Sequence, residues 1–278
     1  LSTLTSIFDS DNSGPLQTRI LEALRKLWTY SYETEHVELR RQIGALAERG
    51  YVQAPSARWV ALLRDWVGQA VCFSDIELML DILANHCDLE PQQTVWALGY
   101  LLRTHPCAEA QAVVFGRLRD VFLSMQHSYD WEIRVGALTH IAQQARTLGN
   151  AEDLTQPLVD LQQRMHAWML EIIQSLSTRA LYGEAIEPEP ISRILTTIAH
   201  ECPFCAFEAT AMLVRLTERA KPVPAQRAAI RVLLRRSDEG IYTNNEQGAL
   251  GEHIARHLSE GHAIANTTHN RQYPRDLL

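Results

Sequence analysis

The sequence predicts an all-α protein, a helical-repeat solenoid of about six antiparallel helix pairs stacked along the chain. Three observations predict this fold class. Apolar residues recur with helical spacing through most of the chain, and convincing alternating strand patterns are absent. A similar helical segment recurs about every 40 residues. The connections between the predicted helices are short, which favours antiparallel neighbours.

The repeated segment is centred on a small residue, which lets neighbouring helices approach closely. With Ala61, Ala97, Ala137 and Ala211 as reference points, the spacings are 36, 40 and 74 residues, and 74 is twice 37. The segments themselves are 59–63, 96–102, 135–138 and 209–213. A period of this length, with helices and without strands, is typical of stacked helix pairs.

The apolar periodicity predicts helices at 15–30, 34–49, 56–72, 75–86, 91–104, 108–125, 131–148, 154–182, 190–201, 204–220, 224–236 and 245–260. Ser74 and Glu77 match a capping box at the start of one helix, and Gly50 and Gly149 fit helix ends. Five prolines fit the first turn of a helix, where a missing N–H costs nothing: Pro15, Pro91, Pro157, Pro190 and Pro224.

The sequence divides into two helical blocks with a segment at each end. We predict a flexible N-terminal segment at 1–14 and an N-terminal helical-repeat block at 15–182. A C-terminal helical-repeat block follows at 190–260, and 261–278 forms an extended tail. The break between the blocks falls in 183–190, which is acidic and contains two prolines. The tail is predicted to be extended because its residues are mostly polar.

Composition and charge exclude several classes of protein. The 278 residues carry a net charge of −7, which argues against broad nucleic-acid binding through phosphate neutralisation. No apolar run approaches the roughly 20 residues that span a bilayer, so we expect no membrane partner. The first residues lack the basic region of a secretory signal. Five cysteines, an odd number, argue against a disulfide scaffold and favour a cytoplasmic location.

The segment 130–142, Asp-Trp-Glu-Ile-Arg-Val-Gly-Ala-Leu-Thr-His-Ile-Ala, resembles the second half of a HEAT repeat. In that family an Asp at the turn and an Arg a few residues later bridge adjacent repeats, and Asp130 and Arg134 match those positions. The segment 224–230 is similar, with Arg227 in the Arg position, and 56–61 is a weaker match. The resemblance implies a curved HEAT/armadillo-like superhelix whose extended surface binds a partner.

The expected function is that of a non-enzymatic scaffold or adaptor that binds a protein through one face of the stack. Regular stacking creates a long surface, which suits protein binding. The sequence contains no G-x-S-x-G elbow, no phosphate-binding glycine loop and no assignable Ser-His-Asp order. We therefore expect no cofactor.

A basic strip near the C-terminal end is the candidate partner-binding surface. Residues 215–236 contain seven basic residues and one acidic residue. The arginines assigned to partner binding are Arg215, Arg219, Arg227, Arg231 and Arg235. The last three share one helix face because they are four residues apart. This face fits an acidic protein or the phosphates of a nucleic acid, and a solvated face paired with acidic neighbours explains the pattern equally well.

Cys202 and Cys205 form a CxxC pattern at the start of a predicted helix. A helix N-terminus favours the thiolate, so the pair fits a redox protein, although the β-α-β context of thioredoxin is not visible. His253 and His257, one helical turn apart, complete a four-residue zinc ligand set with the two cysteines. The simplest alternative is two thiols packed at a turn between helices.

Two further patterns have ordinary structural explanations. The segment 9–14 resembles the opening of a calcium-binding loop, but the twelfth position, which needs a bidentate Glu, is Ile20. The Asp65-Trp66 pair resembles the Trp and Asp of a HEAT-like family that excises alkylated DNA bases. Trp59 and Trp66 are seven residues apart, however, which is the spacing of a helix core.

Overall fold

The computed structural model describes residues 14–124, 131–181 and 188–219. Over these residues the chain forms ten α-helices and a single 3₁₀ turn, and contains no β-strand. The helices are α1 (Gly14–Glu33), α2 (Val37–Gln53), α3 (Ala57–Gln69), α4 (Phe73–Asn85), α5 (Pro91–Thr104), α6 (Ala108–Ser124), α7 (Trp131–Gly149), α8 (Gln156–Leu181), α9 (Pro188–Glu201) and α10 (Ala206–Arg219). The 3₁₀ turn, Pro203–Cys205, precedes α10.

The all-α prediction is confirmed for the described residues, and the ten helices agree with the sequence-based ranges to within a few residues. Pro91 opens α5, as expected for a proline at the first helical position. Gly14 opens α1, so the predicted flexible segment otherwise lies outside the described residues. The predicted helices at 224–236 and 245–260 and the tail at 261–278 also lie outside them, as does most of the predicted break at 183–190.

Two predicted helix ends are wrong. The capping box at Ser74 does not form, because α4 begins one residue earlier, at Phe73, and its N-cap is Cys72, which makes no side-chain capping hydrogen bond. Gly50 does not end α2 either, since the helix continues to Gln53 with Gly50 buried inside it. In both cases packing against other helices outweighs the local signal.

A buried ion pair holds the first turn of α4 against α1 and α2. Asp75, in the first turn of α4, accepts from Arg40 Nε and from the Tyr32 hydroxyl, both at 2.8 Å. Arg40 also donates to the Ser31 carbonyl oxygen at 3.0 Å and lies over the Tyr32 ring. Arg40 and Asp75 are 4% and 6% exposed, so the ion pair that joins α2 and α4 is buried, and Tyr32 links it to α1. Burial, together with the hydrogen bond to Asp75, raises the pKa of Tyr32.

The chain divides into two compact units, Leu1–Ile141 and Ala142–Leu278, and the division falls within α7. In the first unit consecutive helices pack in pairs: α1 with α2, α3 with α4, and α5 with α6. Helices two positions apart also pack, because α3 contacts both α1 and α5, and α4 contacts both α2 and α6. Each helix from α1 to α6 therefore contacts a sequence neighbour and a helix two positions away.

Large aromatic side chains fill the core of the first unit. Trp28 of α1 and Trp66 of α3 stack with their ring centroids 4.5 Å apart, and both are fully buried together with Trp59. The core interpretation of Trp59 and Trp66 is thus confirmed. Ile20, which occupies the last ligand position of the calcium-like pattern, is also buried in the core.

The second unit packs α8, α9, the 3₁₀ turn and α10 against one another. The apolar face of α9 consists of Ile191, Ile194, Leu195 and Ile198, all buried at the i, i+3, i+4 and i+7 spacing of an amphipathic helix. This packing fixes the position of the turn that carries Cys202 and Cys205.

Candidate functional site

The basic strip is only partly described by the structure. Arg215 and Arg219 lie in the last turns of α10. Arg227, Arg231 and Arg235 lie outside the described residues, so their predicted common face stays a prediction.

The residues that carry the HEAT resemblance can be followed in part. Asp130 lies outside the described residues. The Arg134 guanidinium lies 4.5 Å from the ring centroid of Phe122 and 4.4 Å from that of Trp131. In the weaker match at 56–61, Arg58 of α3 donates to the Thr18 hydroxyl of α1 at 2.7 Å.

A cluster of arginine and aromatic side chains lies on the surface of α3 and α5. Trp96 and Tyr100, one helical turn apart on α5, stack with their centroids 5.9 Å apart. The Arg64 guanidinium of α3 lies 5.3 Å from each ring centroid. Trp96 is 49% exposed and Tyr100 42%, although tryptophans usually bury most of their surface. We call this cluster, with Asp65, Arg25 and Arg103, the arginine–aromatic surface.

The charges of the arginine–aromatic surface are linked through one carboxylate. Asp65 accepts from Arg64 at 2.6 Å and from Arg25 of α1 at 3.2 Å, and all three side chains are partly exposed. Arg103 lies one turn beyond Tyr100 on the same helix. Three arginines and one aspartate give the surface a local positive charge within an acidic chain.

Arg103 joins this surface to α7 through a histidine. Its Nη1 donates to His140 Nδ1 at 2.6 Å, and a guanidinium has no acceptor, so the imidazole accepts in its neutral form. Burial, and then the charge of Arg103, lower the pKa of His140 to about 4. The imidazole lies against Gly99 of α5, where a side-chain Cβ would overlap it.

Cys202 and Cys205 lie at the turn between α9 and α10, and the structure places both thiols in the interior of the second unit. The two thiols are close enough to affect each other's pKa, and the His166 side chain of α8 is close enough to affect that of Cys202. Cys205 Sγ also lies 3.8 Å from the His166 carbonyl oxygen. All five cysteines of the chain are free.

Of the four side chains in the predicted zinc ligand set, the structure describes only Cys202 and Cys205. His253 and His257 lie outside them. Among residues 14–124, 131–181 and 188–219, no three His, Cys, Asp or Glu side chains are grouped so that they could hold a metal ion. Over the same part of the chain, none of the helices combines the length and the apolar character that a membrane crossing requires.

Sequence reasoning missed both the arginine–aromatic surface and His166. Arg64 and Trp96 are on different helices, 32 residues apart, and the segment around Trp96 was assigned to the apolar repeat. His166 precedes Cys202 by 36 residues. The separation of His166 and Cys202 equals the shortest spacing of the repeated segments, 36 residues, which is a signal that could have brought these two residues together; the 32 residues between Arg64 and Trp96 give no such signal.

Comparison with known proteins gives no family: no protein-family model matches the chain, and no curated protein matches its sequence.

Proposed function

We propose that the chain is a HEAT-like helical-repeat scaffold, without catalytic activity, that binds a protein partner in the cytoplasm. The packing of the first unit supports a repeat stack, since each helix from α1 to α6 contacts a helix two positions away. In the described part of that unit, eight side-chain hydrogen bonds join residues 35 to 43 positions apart, close to the sequence period. Free cysteines are consistent with a reducing compartment.

The observation that carries the binding proposal is the exposed pair Trp96 and Tyr100 beneath the Arg64 guanidinium. Trp, Tyr and Arg are the residues that dominate the binding energy of protein interfaces. Here they lie together, and their stacking contacts hold the side chains in place before a partner arrives. A surface ordered in advance loses less side-chain entropy on binding. The arginine–aromatic surface is therefore the proposed binding site.

The chemistry of this surface favours a protein segment that offers an apolar side chain and a small number of carboxylates. The apolar side chain would pack on Trp96 and Tyr100, and a carboxylate would pair with Arg103, whose observed partner is a neutral imidazole. A nucleic-acid strand fits less well, because Asp65 lies among the arginines and the whole chain is acidic.

The test is retention of proteins from the native lysate on the immobilised full chain and on two variants. Trp96→Ala/Tyr100→Ala removes the proposed site, and Tyr30→Ala removes an aromatic that is 52% exposed elsewhere on the first unit. We expect the wild type and Tyr30→Ala to retain the same protein and the double variant to lose it. Measured with that purified protein, the affinity should fall roughly 30-fold or more in the double variant.

Three other results would count against this assignment. Equal retention by all forms would mean that the arginine–aromatic surface does not bind the partner. Loss of the partner only in Arg227→Glu/Arg231→Glu/Arg235→Glu would assign binding to the basic strip. Nucleic acid on the column, released steeply by salt, would support a nucleic-acid-associated module instead.

A further inference from the structure

The CxxC pair of the second unit has the geometry of a dithiol that can close into a disulfide. The Cys205 N–H donates to the Cys202 carbonyl oxygen at 3.2 Å, which closes the turn. A turn closed in this way holds its first and last Cα atoms less than about 7 Å apart, and a disulfide spans about 4.4–6.8 Å. The two thiols are close enough to affect each other's pKa, and both are free.

The surroundings shift the pKa values of the two thiols in opposite directions. A hydrogen bond from Cys205, and then one from His166, lower the pKa of Cys202 against the opposing effect of burial. The same hydrogen bond and burial raise the pKa of Cys205. Cys202 is thus suited to act as the nucleophile, while Cys205 keeps its proton until a second step.

Access to the pair depends on a short segment. Both cysteines are buried, but Pro203 and Phe204 between them are exposed. The Phe204 ring packs on His166, with centroids 4.7 Å apart, and lies against Gly149 at the end of α7. A single 3₁₀ turn makes fewer internal hydrogen bonds than the helices it joins, so local opening there is the natural route for a small oxidant.

We propose that Cys202 and Cys205 form a redox site that reacts with hydroperoxides, independently of the scaffold function. In the first step the Cys202 thiolate attacks a peroxide oxygen, an S–O bond forms, the O–O bond breaks and hydroxide or an alkoxide leaves. In the second step the Cys205 thiol attacks the sulfenic sulfur, the S–S bond forms and water leaves with the thiol proton. The dithiol loses two electrons and two protons, which reduce the peroxide.

The test is peroxide treatment of the full, folded chain, followed by unfolding, alkylation of the remaining thiols and peptide mapping. Trypsin releases residues 194–215 as one peptide that contains Cys202 and Cys205 and no other cysteine. We expect this peptide to become resistant to alkylation, to lose the mass of two hydrogen atoms and to return to the dithiol with dithiothreitol. His166→Ala should slow the reaction while circular dichroism stays unchanged.

Two variants separate the steps. Cys205→Ser should stop at a sulfenic acid on Cys202 that dimedone traps, and Cys202→Ser should leave Cys205 unoxidised. The exposed Cys72 reports peroxide exposure in the same sample. The proposal is wrong if peptide 194–215 stays fully reduced once Cys72 is oxidised, or if its cysteines are oxidised without forming a disulfide. Stoichiometric zinc in the purified protein, bound through Cys202 and Cys205, would also overturn it.

Discussion

Single residues show where tertiary contacts override local sequence signals. The sequence places a capping box at Ser74 and Glu77, yet α4 begins at Phe73, and Asp75 in its first turn pairs with the buried Arg40. Trp96 lies in an apolar repeated segment of α5 and is half exposed, and the Arg64 guanidinium of α3 lies over its ring. Such contacts depend on which helix lies alongside, and one helix's own sequence does not contain that information.

Removing one member of the Arg40–Asp75 pair should destabilise the protein strongly. Asp75→Ala leaves a buried guanidinium and the Tyr32 hydroxyl without their shared acceptor, which should cost about 3–5 kcal/mol of unfolding free energy. Glu38→Ala, which removes the exposed partner of Arg41, should cost less than about 1 kcal/mol. Urea unfolding measures both variants, and similar losses in the two would contradict a special role for the buried pair.

His140 should make stability depend on pH. Its pKa in the folded protein, about 4, lies below its ordinary value of 6.5, so the unfolded chain binds the proton more readily. This contribution is fully present above pH 6.5 and is lost as the pH falls towards about 4. In urea unfolding, His140→Gln should therefore lose less stability than the wild type over this window, and the exposed His36→Gln should follow the wild type. Identical pH profiles for wild type and His140→Gln would refute the prediction.

At the scale of the elements, the sequence predicts most helices and few of their contacts. Apolar spacing and first-turn prolines such as Pro91 are local properties, so they place α1 to α10 within a few residues. Side-chain hydrogen bonds between helices of the first unit join residues 35 to 43 positions apart, which no single helix's sequence reveals. Gly99 illustrates this, because only the structure shows His140 of α7 lying against it.

Two glycines inside helices should respond to alanine with opposite signs. Gly99→Ala would push α5 and the His140 ring apart and should cost about 1–3 kcal/mol. At Gly116 of α6 nothing lies within 4 Å of an added Cβ, so alanine there should stabilise the protein by about 0.5–1 kcal/mol through its better helix propensity. The urea unfolding midpoints of the two variants, at equal m-values, measure the two changes in stability. Destabilisation by both substitutions would show that the close approach at Gly99 has no special effect.

At the scale of the whole molecule, the sequence period of about 40 residues corresponds to hydrogen bonds between residues 35 to 43 positions apart. Spacing alone predicts that an extended surface exists, but it does not say which part binds. The sequence pointed to the basic strip because its arginines are close together in the chain. The sequence does not predict the arginine–aromatic surface, because its residues come from three separate helices, α1, α3 and α5.

Site-specific photocrosslinking is the measurement that tests the central proposal most directly. A photoreactive phenylalanine analogue would be placed at position 96 in one form of the full chain and at position 30 in another, in the native cell. We predict that position 96 crosslinks one protein, that Arg64→Glu in the same chain abolishes the product, and that position 30 gives none. The same products from both positions, or products at position 96 that persist with Arg64→Glu, would contradict the proposal.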